Sequence, residues 1–170
     1  FGLTVTEALW KGRPTVADYL RGIGARVYPV GRLDFHTSGI LLLTNDGEFS
    51  SVLQHPRKGA PKVYVAKVAG EVSDKDLERW AEPIEIDGRF TQPAAVKRLR
   101  FAEGKTWLEI TLREGRNRQV RRLGEHTGFT VMRLSRQSYA GIDVEGLRPG
   151  EWRFLSADEL SDLKQNYGVP

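Results

Sequence analysis

The sequence predicts an α+β domain: a largely antiparallel, mixed and twisted β-sheet flanked by helices, with two lobes around a central cleft. Two observations carry this reading. Period-two apolar segments and capped helical segments follow one another without strict βαβ alternation, and several neighbouring strands are joined by connections too short for a crossover helix. The 170 residues, 39% hydrophobic and 28% charged, suffice to bury one core without covalent staples. The domain is expected to span 1–170, with approximate lobes 1–72 and 73–170 separated at the polar passage 70–74.

The elements follow in order. Thr15, with Asp18 three residues on, forms a capping-box pattern ahead of a short helix that Gly22 or Gly24 ends. The segment 27–30 reads as extended, and the apolar run 40–43 as a buried strand. Asn45-Asp46-Gly47 is a turn that also caps a helix from Glu48 to Leu53. Residues 62–69 are β-branched and aromatic, with Tyr64 on the face of Lys62, Ala66 and Val68. Ser73 caps a helix over 74–81, stopped by Pro83. Strands over 94–101 and 106–113 form a hairpin through 102–105, the second pointing Leu108, Ile110 and Leu112 one way and Trp107, Glu109 and Thr111 the other. A helix over about 117–126 follows Gly115, with Val120, Leu123 and Thr127 inward and Gly128 as its stop. Strands are expected at 131–139 and 151–156, and a last helix is capped by Ser156.

Composition excludes whole classes of function. With no cysteine there is no disulfide scaffold, Cys-ligated zinc, iron–sulfur cluster or cysteine nucleophile. His36, His55 and His126 lie far apart, so no metal site is expected. No apolar stretch approaches the ~18 residues of a membrane helix, and a cytoplasmic protein is expected. The chain opens on Phe1 without a targeting pattern and reads as a fragment. The net charge of +4 is concentrated: residues 113–136 hold seven arginines, no lysine, and only Glu114 and Glu125 as acids. The planar guanidinium fork suits phosphate oxygens and bases, which points to a nucleic-acid partner.

There is no phosphate loop of the GxxxxGK[ST] form, no GxGxxG after a strand, no GxSxG elbow and no HExxH helix. Three segments remain as candidates for chemistry: 31–39 (GRLDFHTSG), 62–64 (KVY) and 114–122 (EGRNRQVRR). In the first, a polar loop between two glycines dives into the apolar run ILLL, an anchorage that holds a carboxylate rigidly at the edge of a core. Taken singly, Asp34 also suits a turn residue bonding to the amides around Thr37, Tyr64 a half-buried strand aromatic, and Arg121 a surface or phosphate-binding arginine. Their combination is more specific than any one of them.

The strings GRLDFHTSGILLLTNDGEF, KVYVAKVAG and EGRNRQVRRLGEHTG, with GRPTV before and RLSRQSYAGI after, closely resemble the RsuA/RluB branch of the RNA pseudouridine synthases, from about residue 12 to 155. The resemblance implies the pseudouridine synthase fold and cofactor-free, metal-free isomerisation of one uridine of ribosomal RNA, or of a pre-ribosomal particle, to 5-ribosyluracil during ribosome maturation. Asp34 then takes the position of the catalytic aspartate, as nucleophile or as base at the ribose. Tyr64 matches the tyrosine that stacks on the target base, and Arg121 the arginine that pairs with the aspartate. Leu134 lines the uracil pocket; Arg32, Thr37 and Ser38 brace the loop; Arg116, Asn117, Arg118 and Arg122 bind the substrate, the arginines through its phosphates. The branch's N-terminal S4 RNA-binding domain has no counterpart in these residues, so a catalytic domain without S4 is expected, acting as a monomer. The alternative is a non-catalytic ribosomal-RNA-binding or assembly factor that keeps the fold. A metal-dependent nuclease built on Asp34 and Asp46 is disfavoured, because no second acid stands at a convincing spacing.

Overall fold

A computed structural model describes residues 2–4 and 15–169. Its main sheet has the order β1 (Gly2–Thr4), β3 (Thr37–Thr44), β9 (Val131–Tyr139), β4 (Lys62–Ala69), β8 (Lys105–Leu112) and β7 (Ala95–Ala102). Two short strands join its side, β2 (Tyr28–Pro29) on β3 and β10 (Ile142–Asp143) on β9, and β5 (Glu85–Ile86) pairs with β6 (Arg89–Phe90) in a separate hairpin. All these pairings are antiparallel except β3 with β9, which makes the sheet mixed, as expected. The helices are α1 (Gly47–Gln54), α2 (Asp74–Ala81), α3 (Gln119–Thr127) and α4 (Ala157–Tyr167).

Local chemistry fixes the helix ends where polar side chains meet free amides. The Asp46 carboxylate accepts from the Glu48 and Phe49 amides at 2.9 and 3.0 Å. Ser73 with Asp76 and Ser156 with Glu159 form full capping boxes at α2 and α4. Gly128 closes α3 in the left-handed conformation at φ 85°. The β7–β8 hairpin turns on Glu103 and Gly104, both at positive φ, and Ala102 pairs directly with Lys105. This is the two-residue turn whose twist matches that of its strands.

The apolar side chains gather in three clusters. One joins Ala66, Val68, Leu108, Ile110 and Leu134 of the sheet to Trp80 of α2 and Leu123 of α3. A second joins Ile40 and Leu42 of β3 to Phe49 and Leu53 of α1, Tyr139 and Ile142, and Leu163 of α4. Residues 139–169 thus pack with 30–60 rather than with residues 66–134, and the chain passes between the two main clusters twice. The third cluster, Leu33, Leu41 and Leu43, lies on the opposite face of β3. Burial of both faces explains why this strand is a continuous apolar run and not an alternation.

Three expectations are corrected. The segment after Thr15 makes only a 3-10 turn, Val16–Tyr19, although the Asp18 carboxylate does accept from the Thr15 amide. Helix α3 starts at Gln119 and not at Asn117, because Arg118 adopts the left-handed conformation at φ 50°. Residues 151–156 form no strand: Arg153 bonds both Glu159 carboxylate oxygens from in front of α4, at 2.7 and 2.6 Å, Trp152 packs on the third cluster, and Ser156 turns to cap. The side chains commit this segment to the start of a helix.

Candidate active site

A cleft of about 1060 Å³ is lined by the loop 29–34 and Thr37, the end of α1 with His55 and Pro56, Lys62 and Tyr64 of β4, the segment 112–120, and Leu134, Arg136 and Tyr139 of β9, with Asp87 and Arg89 at its edge. The sheet order explains the meeting of segments so distant in sequence. β9 lies between β3 and β4, and in register Thr37 stands beside Leu134 while Tyr64 stands beside Arg136. Close contact of β3 with β9 is enforced at Gly39, whose φ of 119° excludes most side chains; a Cβ there would lie 2.1 Å from the Arg136 carbonyl oxygen.

Of the residues expected to form the site, the cleft brings together Asp34, Tyr64, Arg32, Thr37, Leu134, Arg116, Asn117 and Arg118. The loop of Asp34 is closed through its backbone: the Thr37 amide donates to the Asp34 carbonyl at 2.8 Å. The turn is therefore made without the carboxylate, which sits half-buried in the cleft wall. Thr37 is buried, and its hydroxyl has no hydrogen-bond partner among the described residues.

Three expected residues lie elsewhere. Ser38 is exposed on β3 beside Ser135. Arg122 reaches Asp87 at 3.5 Å. Arg121 stands behind the cleft wall, where its guanidinium donates to the Val131 carbonyl at 2.9 Å and to the His36 carbonyl at 2.8 Å. Among the described residues no ion pair joins it to Asp34, and its buried Nε has no hydrogen-bond partner there. The two still sense each other. Burial and Arg118 lower the Arg121 pKa from its ordinary value, whereas Asp34 and Glu125 raise it. Arg121 thus clamps the loop that carries Asp34 and adds positive field to it.

The loop before α3 is braced by Glu114, whose carboxylate accepts from the Gln119 side chain at 2.8 Å and the Gln92 amide at 2.6 Å. Gln119, almost wholly buried, accepts from the Arg116 amide at 3.2 Å. The Arg116 guanidinium is tied to the Ile86 carbonyl, which leaves the exposed Arg118 as the more available cation at the mouth.

Sequence reasoning missed several lining residues. Lys62 was legible as Tyr64's neighbour on one strand face, but its half-buried place in the cleft was not. Its ammonium lies 4.9 Å from the centre of the Tyr139 ring, and burial beside Arg136, opposed by Glu114, lowers its pKa to about 8. Arg136 is buried, donating to the Ile40 carbonyl at 3.0 and 2.8 Å. Tyr139 donates its hydroxyl to the Leu53 carbonyl, and burial is the main cause of a pKa pushed up to about 12. Asp87 and Arg89 arrive on the β5–β6 hairpin, whose turn residues Asp87 and Gly88 carried a readable signal. Among the described residues no three His, Asp or Glu side chains gather as a metal site, and no helix is long and apolar enough to cross a membrane.

Comparison with known proteins identifies the family and the fold. The family model described as RNA pseudouridylate synthase matches residues 5–126. An uncharacterised RNA pseudouridine synthase of Aquifex aeolicus is 42% identical over 158 residues, covering 93% of this chain and 64% of that protein. Ribosomal large subunit pseudouridine synthase B of Bacillus subtilis is 43% identical over 156 residues, covering 91% and 64%. The chain therefore spans just under two thirds of the length of these relatives. A ribosomal large subunit pseudouridine synthase E of Vibrio vulnificus is 39% identical over 160 residues, covering 86% of this chain and 68% of that protein. A solved pseudouridylate synthase superposes with a TM-score of 0.83 at 28% identity, over 95% of this chain and 72% of the other. Matched over most of its length in sequence and in fold, with the aspartate loop and the tyrosine strand facing one cleft, the chain belongs to the RNA pseudouridylate synthase family.

Proposed function

We propose that this chain isomerises a uridine of ribosomal RNA to pseudouridine, with Asp34 as the group that acts at the ribose and Tyr64 as the aromatic against which the base stacks. The observation that carries the reading is the opening of Asp34 and Tyr64 onto one cleft whose mouth holds Arg113 and Arg118. The names of the relatives, ribosomal large subunit pseudouridine synthases B and E, support ribosomal RNA as the substrate.

The chemistry required matches what the cleft offers. A stacked, paired uridine hides C1′ and C5, so the nucleotide must leave the helix at a cost of a few kcal/mol. Arginines at the mouth hold its phosphates, and an aromatic face replaces the lost stacking. The C1′–N1 bond then breaks. Asp34 either bonds C1′ or takes the C2′ proton; the ring turns, C5 bonds C1′ as the Asp34–C1′ bond breaks or the proton returns to C2′, and the C5 proton is released while N1 gains one. Leu134 forms part of the pocket wall, and Arg121 positions the Asp34 loop through the His36 carbonyl. The reaction is taken to need no metal or cofactor, and the protein to act as a monomer in the cytoplasm.

The test is tritium release from ribosomal RNA transcribed with 5-³H-uridine, in EDTA. The wild type is expected to release tritium, and Asp34→Asn, nearly isosteric and folded, to release none. Equal release by both would remove Asp34 from the chemistry. No release by either, on naked RNA and on ribosomal particles, would favour an RNA-binding protein that keeps the fold.

A further inference from the structure

Two cations deep in the cleft have no part in the reaction as written above. Lys62 and Arg136 stand on the adjacent strands β4 and β9, and Arg136 is the register partner of Tyr64. Arg136 is only 3% exposed. Its guanidinium donates to the Ile40 carbonyl and lies 5.2 Å from the centre of the Tyr139 ring. Lys62 lies over the same ring. Among the described residues no carboxylate forms an ion pair with either cation. A carbonyl and a ring face satisfy donors but do not cancel charge, and a buried arginine beside a half-buried lysine, opposed only by Glu114 without an ion pair, is costly to hold. Such an arrangement suits an anion arriving from the cleft.

Depth decides which anion. Arg89, Arg113 and Arg118 line the same cleft but are exposed at its rim. A nucleotide turned out of its helix enters base first, so rim arginines meet phosphates while the floor meets the ring. The uracil ring is neutral on entry. It becomes anionic when the C1′–N1 bond breaks and the bonding pair stays on the ring, spread over N1, O2 and O4; C1′ is satisfied by a bond to the Asp34 carboxylate or by loss of the C2′ proton to it. The charge leaves the ring when C5 bonds C1′ as the Asp34–C1′ bond breaks, or as Asp34 returns the proton to C2′; the C5 proton is then released and N1 takes one up.

We infer that Lys62 and Arg136 stabilise the negative charge that develops on the departing uracil ring, through its carbonyl oxygens. The assignment rests on the proposed isomerisation. An interaction that is modest with the neutral ring and strong with the anion lowers the barrier without tightening ground-state binding. The Lys62 ammonium is faced by Arg136 and Tyr139 from β9, by Glu114 beside Gly115 in the segment after β8, and by Tyr64 on its own strand. With a pKa near 8 it is charged below that pH and neutral above it.

The experiment measures single-turnover isomerisation and RNA affinity for the wild type, Lys62→Met and Lys62→Arg across pH 6 to about 9.5, a range spanning that transition. Lys62→Met, which keeps an apolar stem, is expected to react about 100-fold more slowly with RNA affinity unchanged. Lys62→Arg restores most of the rate and removes the fall that the wild type shows above pH 8. A methionine variant that turns over at the wild-type rate overturns the assignment. So does one whose loss lies wholly in affinity and salt dependence, the signature of a phosphate contact, or a wild type without the alkaline fall. If Lys62→Met fails to fold, the paired pH profiles of wild type and Lys62→Arg decide alone. A wild type inactive on every ribosomal RNA substrate defeats the proposed function itself, whereas an active wild type matched by Lys62→Met defeats this inference only.

Discussion

Arg121 shows how one side chain acts through another residue's backbone. Its two terminal nitrogens bridge the His36 and Val131 carbonyls, tying the Asp34 loop to the start of β9. A lysine has the charge but one nitrogen and no fixed fork, so it cannot hold both carbonyls in one plane. Arg121→Lys is expected to lose about 1–2 kcal/mol of stability and to slow turnover while RNA affinity stays the same. Unchanged turnover in a single-turnover assay would show that the clamp does not position Asp34. The residues proposed to act through their side chains were the easier ones to place in the cleft. Asp34 and Tyr64 stand in strings whose apolar flanks and glycines anchor them locally. The carbonyl clamp of Arg121 was not legible, because it joins positions 85 residues apart. The buried Arg136 and half-buried Lys62 were not legible either, because neither Lys nor Arg advertises its depth by residue type.

At the scale of the element, the sequence was readable at most helix ends and strand faces set by neighbours within four residues, the turn after Thr15 and the start of α3 excepted. Asp46, Ser73, Ser156 and Gly128 terminate helices as their chemistry requires, and the alternation in β8 is seen in its burial. It misled where a distant partner decides. Residues 151–156 have strand-forming composition but find no strand to pair with, and Arg153 is held by Glu159 instead. The parallel contact of β3 with β9 is the element on which the cleft depends, since it sets Thr37 beside Leu134. Gly39 permits that contact, and a methyl group there meets the Arg136 backbone at 2.1–2.7 Å. Gly39→Ala is therefore expected to cost about 3 kcal/mol through backbone strain and overpacking. Chemical denaturation measures it, and a midpoint equal to the wild type's would contradict the required close approach.

Across the whole molecule, the charge asymmetry seen in residues 113–136 becomes a spatial one. Arg113, Arg116 and Arg118 from that run meet Arg32 and Arg89 around the cleft, while Arg121 and Arg122 turn to structural contacts. An arginine-rich run thus divides between cleft-lining and structural positions, a division that spacing alone did not reveal. Arg118→Ala is expected to weaken RNA binding and to lower the slope of log affinity against log salt by about one phosphate contact, 0.7 to 0.9 in magnitude; an unchanged slope places that arginine outside the interface. The central claim concerns bond rearrangement, and nucleoside analysis of treated RNA tests it most directly. Ribosomal RNA lacking modification is incubated with wild type or Asp34→Asn, digested and resolved by chromatography. The account predicts pseudouridine formed by the wild type at the expense of uridine and none formed by the variant. Pseudouridine formed equally by both, or by neither on RNA and ribosomal particles alike, would contradict it.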